Sequence, residues 1–189
     1  MYTNCRICYL ILQDNQNPFW NGYKKGWFLA YQGILFPDGM IVVNGPESGH
    51  YTDVMVWRDC EVRDTLNTIM AEREAAGQQR LKLYADKLYR TNSLIISAYS
   101  LRDGALLPWM TNSNAIMSAI RVGVEWAFGK IIVRAAYSDF SKGQRLQESA
   151  VAKYYYVAVL LCNIHTCMNG SVHTKHFNCV PPTVEDYLG

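Results

Sequence analysis

Apolar residues change their period along this chain, and that change is the tightest constraint on its fold. Residues 26–36, GWFLAYQGILF, are dense in aromatic and branched side chains and end at Pro37-Asp38-Gly39, a turn signal, with a second apolar run over 40–43. This predicts a β-hairpin. After a turn-rich stretch at 45–49, Val54, Met55, Trp57, Val62, Leu66, Ile69 and Met70 predict a helix that Thr52 or Asp53 can cap and that ends by Gly77. Leu81, Leu83 and Ala85 then alternate with Lys82 and Tyr84, predicting a short strand that delivers Asp86 at its end. Leu106 and Leu107 before Pro108 predict another. Over 113–134, Ile116, Ile120, Val124 and Phe128 recur every fourth residue with Ala119, Ala127 and Ile131 beside them, and a last helix is predicted over 148–165. With a first strand starting at Met1, the order is that of an α/β sheet flanked by helices.

A chain of 189 residues, half of them apolar, can bury one proper core, so a single domain over 1–189 is expected. The net charge of +2 is too small to announce a nucleic-acid binder, so any such contact must come from local clusters. Lys24-Lys25, flanked by Trp20, Tyr23 and Trp27, together with Lys142 and Arg145, are the candidates, and a solvated turn beside the hairpin is the plain alternative for the first pair. The longest apolar runs are far shorter than a membrane span, and residues 1–12 lack a signal-peptide pattern. Six scattered cysteines in a core-forming chain suggest free thiols in a reducing compartment. A soluble intracellular protein, in nucleus or cytoplasm, is expected.

Two carboxylates fall at unusual places: Asp86 at a strand end and Glu125 inside an apolar helix. An unpaired carboxylate buried there would cost several kcal/mol, so each position calls for a cation or a donor. The simplest account pairs Glu125 with Arg121 one turn earlier and leaves Asp86 as a strand-end cap. A shared metal ion is the other.

Five segments, Asn21-Gly22-Tyr23-Lys24-Lys25, then FPDGMIVVNGPESGHYTDVMVWRD, LYADKLY, IRVGVEWAFGKI and KYYYVAVLLCNIHTCMNG, resemble in order and spacing the blocks of DDE superfamily endonucleases of the PIF/Harbinger transposase group. The resemblance implies an α/β, ribonuclease H-like mixed sheet flanked by helices and lacking part of its first strand. It implies a divalent-metal-dependent DNA endonuclease or transposase domain, with Mg²⁺ or Mn²⁺ as cofactor, DNA as substrate and a separate DNA-binding protein as a further partner. The family's Gly-Asp-x-x-Tyr block falls on Ala85-Asp86-Lys87-Leu88-Tyr89, which makes Asp86 the second catalytic carboxylate. Its Arg-x-x-x-Glu-x-x-Phe-Gly helix falls on Arg121, Glu125, Phe128 and Gly129, which makes Glu125 the third. The family's His-Asp pair falls on Thr52-Asp53, where Asp53 is a weaker metal-ligand candidate and helix capping the alternative.

The first carboxylate of that family lies in an Asp-Gly-Thr block followed by an Ile-Cys pair. Counting back from Ile7-Cys8 puts it at about Met1, and Asp14 is a poor substitute, so low or no activity is expected of this polypeptide. An omitted upstream exon and a decayed element are both compatible with that, as is a non-catalytic, domesticated or relic protein that binds DNA or protein. The family's N-terminal helix-turn-helix segment has no counterpart in this reading. Cys162, His165, Cys167, His173, His176 and Cys179 gather thiols and imidazoles into a short span that could close a zinc site, with Cys5 and Cys8 as further thiols, although the spacing matches no standard finger and packing at a helix end accounts for them as well. Trp57, Trp126 and Phe128 are expected in the core.

Overall fold

The computed structural model describes residues 2–6, 19–22, 25–101, 104–135 and 150–189. These residues form a mixed α/β structure in two compact units: Thr52–Val122, and Tyr2–Tyr51 with Gly123–Gly189.

The second unit is built on β3 (Gly26–Leu35). It pairs antiparallel with β1 (Tyr2–Arg6), β2 (Trp20–Asn21) and β4 (Ile41–Ser48). The expected hairpin is β3–β4, and local chemistry closes it. Gly39 takes φ 84°, the Gly39 amide donates to the Phe36 carbonyl at 2.9 Å, and the Asp38 carboxylate accepts from the Met40 amide at 3.0 Å. Phe28, Leu29, Ala30, Tyr31 and Gln32 are consecutive and all buried, so β3 is covered on both faces there and reads as a continuous apolar run rather than an alternation.

Two helices of this unit lie against the sheet. The C-terminal part of α3 (Pro108–Arg134) sets the Phe128 ring against Gly33, where any Cβ would overlap it. Helix α4 (Val151–Asn169) stacks Tyr155 on Tyr31 with ring centroids 4.4 Å apart. The buried Asn163 of α4 bonds both main-chain groups of Ile41: its Oδ1 accepts from the amide at 3.0 Å and its Nδ2 donates to the carbonyl at 2.8 Å. Two short helices follow, α5 (Val172–Phe177), closed by a Ser171/Thr174 capping box, and α6 (Val184–Leu188), capped by Thr183.

In the first unit, Thr52 caps α1 (Asp53–Arg58), its hydroxyl accepting from the Met55 amide at 3.4 Å. The single helix expected here is two. Cys60 turns extended and buries, and its sulfur caps α2 (Glu61–Ala75) by accepting from the Arg63 amide at 3.3 Å. Gly77, at φ 69°, ends α2 as expected. β5 (Leu83–Ala85) pairs parallel with β6 (Ile95–Ser97), a strand the sequence reading did not include. The strand expected at Leu106-Leu107 is instead the entry to α3. The Leu107 carbonyl accepts from the amides of Met110 and Thr111, and Pro108 stands where its missing N–H is no loss.

The buried line of α3 also differs from the expected one. Gly123, Ala127, Phe128 and Ile131 are buried, whereas Ile116 and Ile120 are exposed. Two of the four buried positions are small residues, which a count of large apolar side chains passes over. Trp57 and Phe128 are core residues as expected, but Trp126 is 62% exposed because it falls off that line.

Candidate functional site

Asp86 follows β5 directly, at the C-terminal end of the strand, in a tight turn. The turn is local in origin: the Asp86 carbonyl accepts from the Tyr89 amide at 2.9 Å, and one carboxylate oxygen, Oδ1, lies 3.4 Å from the Leu88 amide. Tyr89 is buried and its hydroxyl donates to the Asp53 carbonyl at 3.2 Å, which ties the Asp86 turn to the first residue of α1. Asp53 and Asp86 thus stand on two segments joined by one buried tyrosine. That tie was not foreseen, although Tyr89 was part of the quoted motif.

The Asp86 carboxylate is about one-third exposed, with Oδ2 3.5 Å from a guanidinium nitrogen of Arg121. A pair this open to water contributes well under 1 kcal/mol or so, enough to orient the carboxylate without locking it. Beside it, burial raises the Tyr84 phenol above its ordinary range, with Arg121 lowering it and Asp86 raising it.

Glu125 stands one helical turn after Arg121 in α3, in the second unit, and is exposed. Contrary to the expectation from its apolar neighbours, Glu125 is therefore not withdrawn from water. The flanking helix is apolar in composition, but its buried line passes through Gly123 and Ala127, which leaves position 125 on the outer side.

Of the basic candidates, Lys25 is exposed, at φ 49°, in the turn ahead of β3. Lys24, Lys142 and Arg145 lie outside the described residues, as do Tyr23, Asp14, Ile7 and Cys8.

Carboxylate oxygens at Asp86 suit a hard divalent cation by their chemistry. Among the described residues, however, no three His, Cys, Asp or Glu side chains come together as a metal-binding group. This applies equally to the Cys/His segment near the C-terminus. Cys162, His165 and Cys167 are spread around α4, with Cys162 buried and the Cys167 sulfur 3.9 Å from that of Met40, while His173 on α5 lies against Gly123. No helix among the described residues is long and apolar enough to cross a membrane.

A family model described as DDE superfamily endonuclease matches residues 7–163, a stretch that includes Asp53, Asp86, Arg121 and Glu125. No curated protein and no solved structure matches the chain. With more than half its length inside that match, the chain belongs to the DDE superfamily endonuclease family.

Proposed function

We propose that this chain is a divalent-metal-dependent DNA endonuclease or transposase-type domain of the PIF/Harbinger kind, on a ribonuclease H-like sheet. Asp86 and Glu125 are its metal-binding carboxylates. The observation that carries the reading is the placement of Asp86: a carboxylate presented at a strand's C-terminal end, one-third open, inside the family match.

Bound Mg²⁺ or Mn²⁺ would supply charge stabilisation for the attacking and leaving oxygens of a phosphodiester. The chain's own residues prepare for that. The buried Tyr89 holds the Asp86 turn on α1, and the opposite charge of Arg121 orients the carboxylate. Asp53, at the start of α1 on the same tie, is the weaker candidate for a further ligand. Lys24, Lys25, Lys142 and Arg145 are the proposed contacts to DNA phosphates.

The resemblance assigns two of the class's three carboxylates to positions in these 189 residues, which predicts weak metal binding and low or no turnover for this polypeptide tested alone. The Arg121–Asp86 pair favours a second reading, a non-catalytic transposase-derived protein that binds DNA or protein, because one oxygen of Asp86 is already met by a protein cation.

Plasmid nicking in Mg²⁺ or Mn²⁺ separates the two, using this chain and a chain extended upstream with an Asp-Gly-Thr block. The nuclease reading expects nicking by the extended chain and its loss, by a hundredfold or more, in both Asp86→Asn and Glu125→Gln. Nicking that survives both substitutions refutes the assignment of these carboxylates. An extended chain that neither nicks nor binds the ions leaves the binding-only reading.

A further inference from the structure

Where α3 meets α4 in the second unit, a half-buried ammonium lacks any acidic partner among the described residues. Lys130 donates to the Thr166 hydroxyl at 3.2 Å, and Thr166, 1% exposed, donates in turn to the Cys162 carbonyl at 3.0 Å. A neutral hydroxyl orients an ammonium but does not neutralise it. Arg134, one turn further along α3, is exposed, and among the described residues neither cation forms an ion pair. His165, the residue before Thr166, carries a buried Nδ1 with no hydrogen-bond partner there.

We propose that Lys130, Arg134 and His165 form a binding site for a phosphate group, either free or part of a nucleic-acid backbone. Withdrawing an ammonium from water without a counter-charge is costly, and an arriving anion removes that cost. The donor set suits phosphate in particular. Lys130 offers a point charge, Arg134 a planar fork, and His165 a ring nitrogen, for an anion with several acceptor oxygens.

The electrostatics around the cluster agree with the geometry. Burial, and then Arg134, holds Lys130 below its ordinary range, and burial followed by Arg134 and Lys130 does the same to His165. Burial raises the Cys162 thiol, with Lys130 and Arg134 opposing it. Apart from the Cys162 thiol, which opposes the shift at Lys130 and is itself pushed up by burial, the charged neighbours acting on these groups are cations, so among the described residues no acidic side chain matches the positive charge of the cluster. Nothing in this depends on Asp86 or Glu125.

The test titrates the 189-residue chain with inorganic phosphate by calorimetry and with a fluorescent DNA duplex by anisotropy over a range of salt. The variants are Arg134→Gln, Lys130→Gln and, as a charge control, Lys82→Gln. Arg134 is exposed, so its variant should fold even if Lys130→Gln does not. Expected are a roughly tenfold weaker duplex affinity in Arg134→Gln and a salt slope lower by about 1, for one lost phosphate contact, with Lys82→Gln, which removes one exposed positive charge elsewhere, unchanged in both. Phosphate binding that needs Arg134, without duplex binding, supports the site and assigns it to the free anion. No binding of either probe, or Arg134→Gln indistinguishable from wild type, overturns it. Because binding rather than cleavage is read, failure of the nuclease reading leaves this result interpretable, and the Lys82→Gln arm separates a specific contact from the loss of one positive charge.

Discussion

Asn163 holds the edge of β4 to α4, and replacing it should destabilise the second unit substantially. Its amide meets Ile41 as a neighbouring strand would, accepting from the amide at 3.0 Å and donating to the carbonyl at 2.8 Å, and its Nδ2 also lies 2.9 Å from the Tyr187 hydroxyl of α6. Asn163 is 3% exposed and Ile41 6% exposed, so water does not freely replace the side chain. Asn163→Ala leaves two buried main-chain groups unpaired at about 1–3 kcal/mol each. Some water entry will relieve part of that, which gives an expected loss of about 2–4 kcal/mol and a fall in Tm of roughly 5–12 °C. Asn163→Asp is the sharper variant. One oxygen can still accept from the Ile41 amide, but the other then faces the Ile41 carbonyl, acceptor against acceptor, in a buried place, so it should be at least as destabilising as alanine. Urea denaturation gives the free energies, and hydrogen exchange at the Ile41 amide locates the damage. A loss below about 0.5 kcal/mol in Asn163→Ala, or an aspartate variant milder than alanine, would refute the idea that this amide acts as a strand partner.

Three further outcomes follow from the packing. Gly33→Ala places a methyl group in the Phe128 ring and should destabilise by about 1–3 kcal/mol, with most of that loss absent when the same change is made in a Phe128→Ala background. Tyr89→Phe removes the hydroxyl bond to the Asp53 carbonyl, so stability should drop by about 1 kcal/mol and amides at the start of α1 should exchange faster; unchanged exchange there would dismiss the tie between the Asp86 turn and α1. Burial, followed by the charge of Lys130, holds the His173 imidazole below its ordinary 6.5, so the unfolded chain takes up the proton more readily than the folded one. The stability this residue contributes is therefore complete above about 6.5 and is lost as pH falls below it, and denaturation at pH 7 and pH 5 should show a smaller difference in His173→Gln than in wild type.

What could be read from the residues was what neighbouring residues decide. The β3–β4 turn is made by Asp38 and Gly39 within their own segment, Thr52 caps α1 with its own hydroxyl, and Asp86 closes its turn through Tyr89 three positions on. What could not be read was decided by distant partners. β6 is three residues long and exists through its parallel pairing with β5, which no local pattern announces. The phase of α3 was misjudged because Gly123 and Ala127 are buried for being small, with His173 lying against one of them, while the larger Ile116 and Ile120 remain outside.

The same division runs through the candidate site. Spacing placed Arg121 one turn from Glu125 and suggested that pair; the structure also sets Arg121 against Asp86, a residue from another element that spacing did not bring in. An arginine shared between a strand-end aspartate and the helix that carries the glutamate competes with any cation for the same oxygen. Its removal therefore tests the two functional readings from opposite directions. If Asp86 is a metal ligand, Arg121→Gln should free an oxygen and tighten Mn²⁺ binding at Asp86; if Asp86 is only a structural partner, the same change should weaken the fold and leave Mn²⁺ binding as it was.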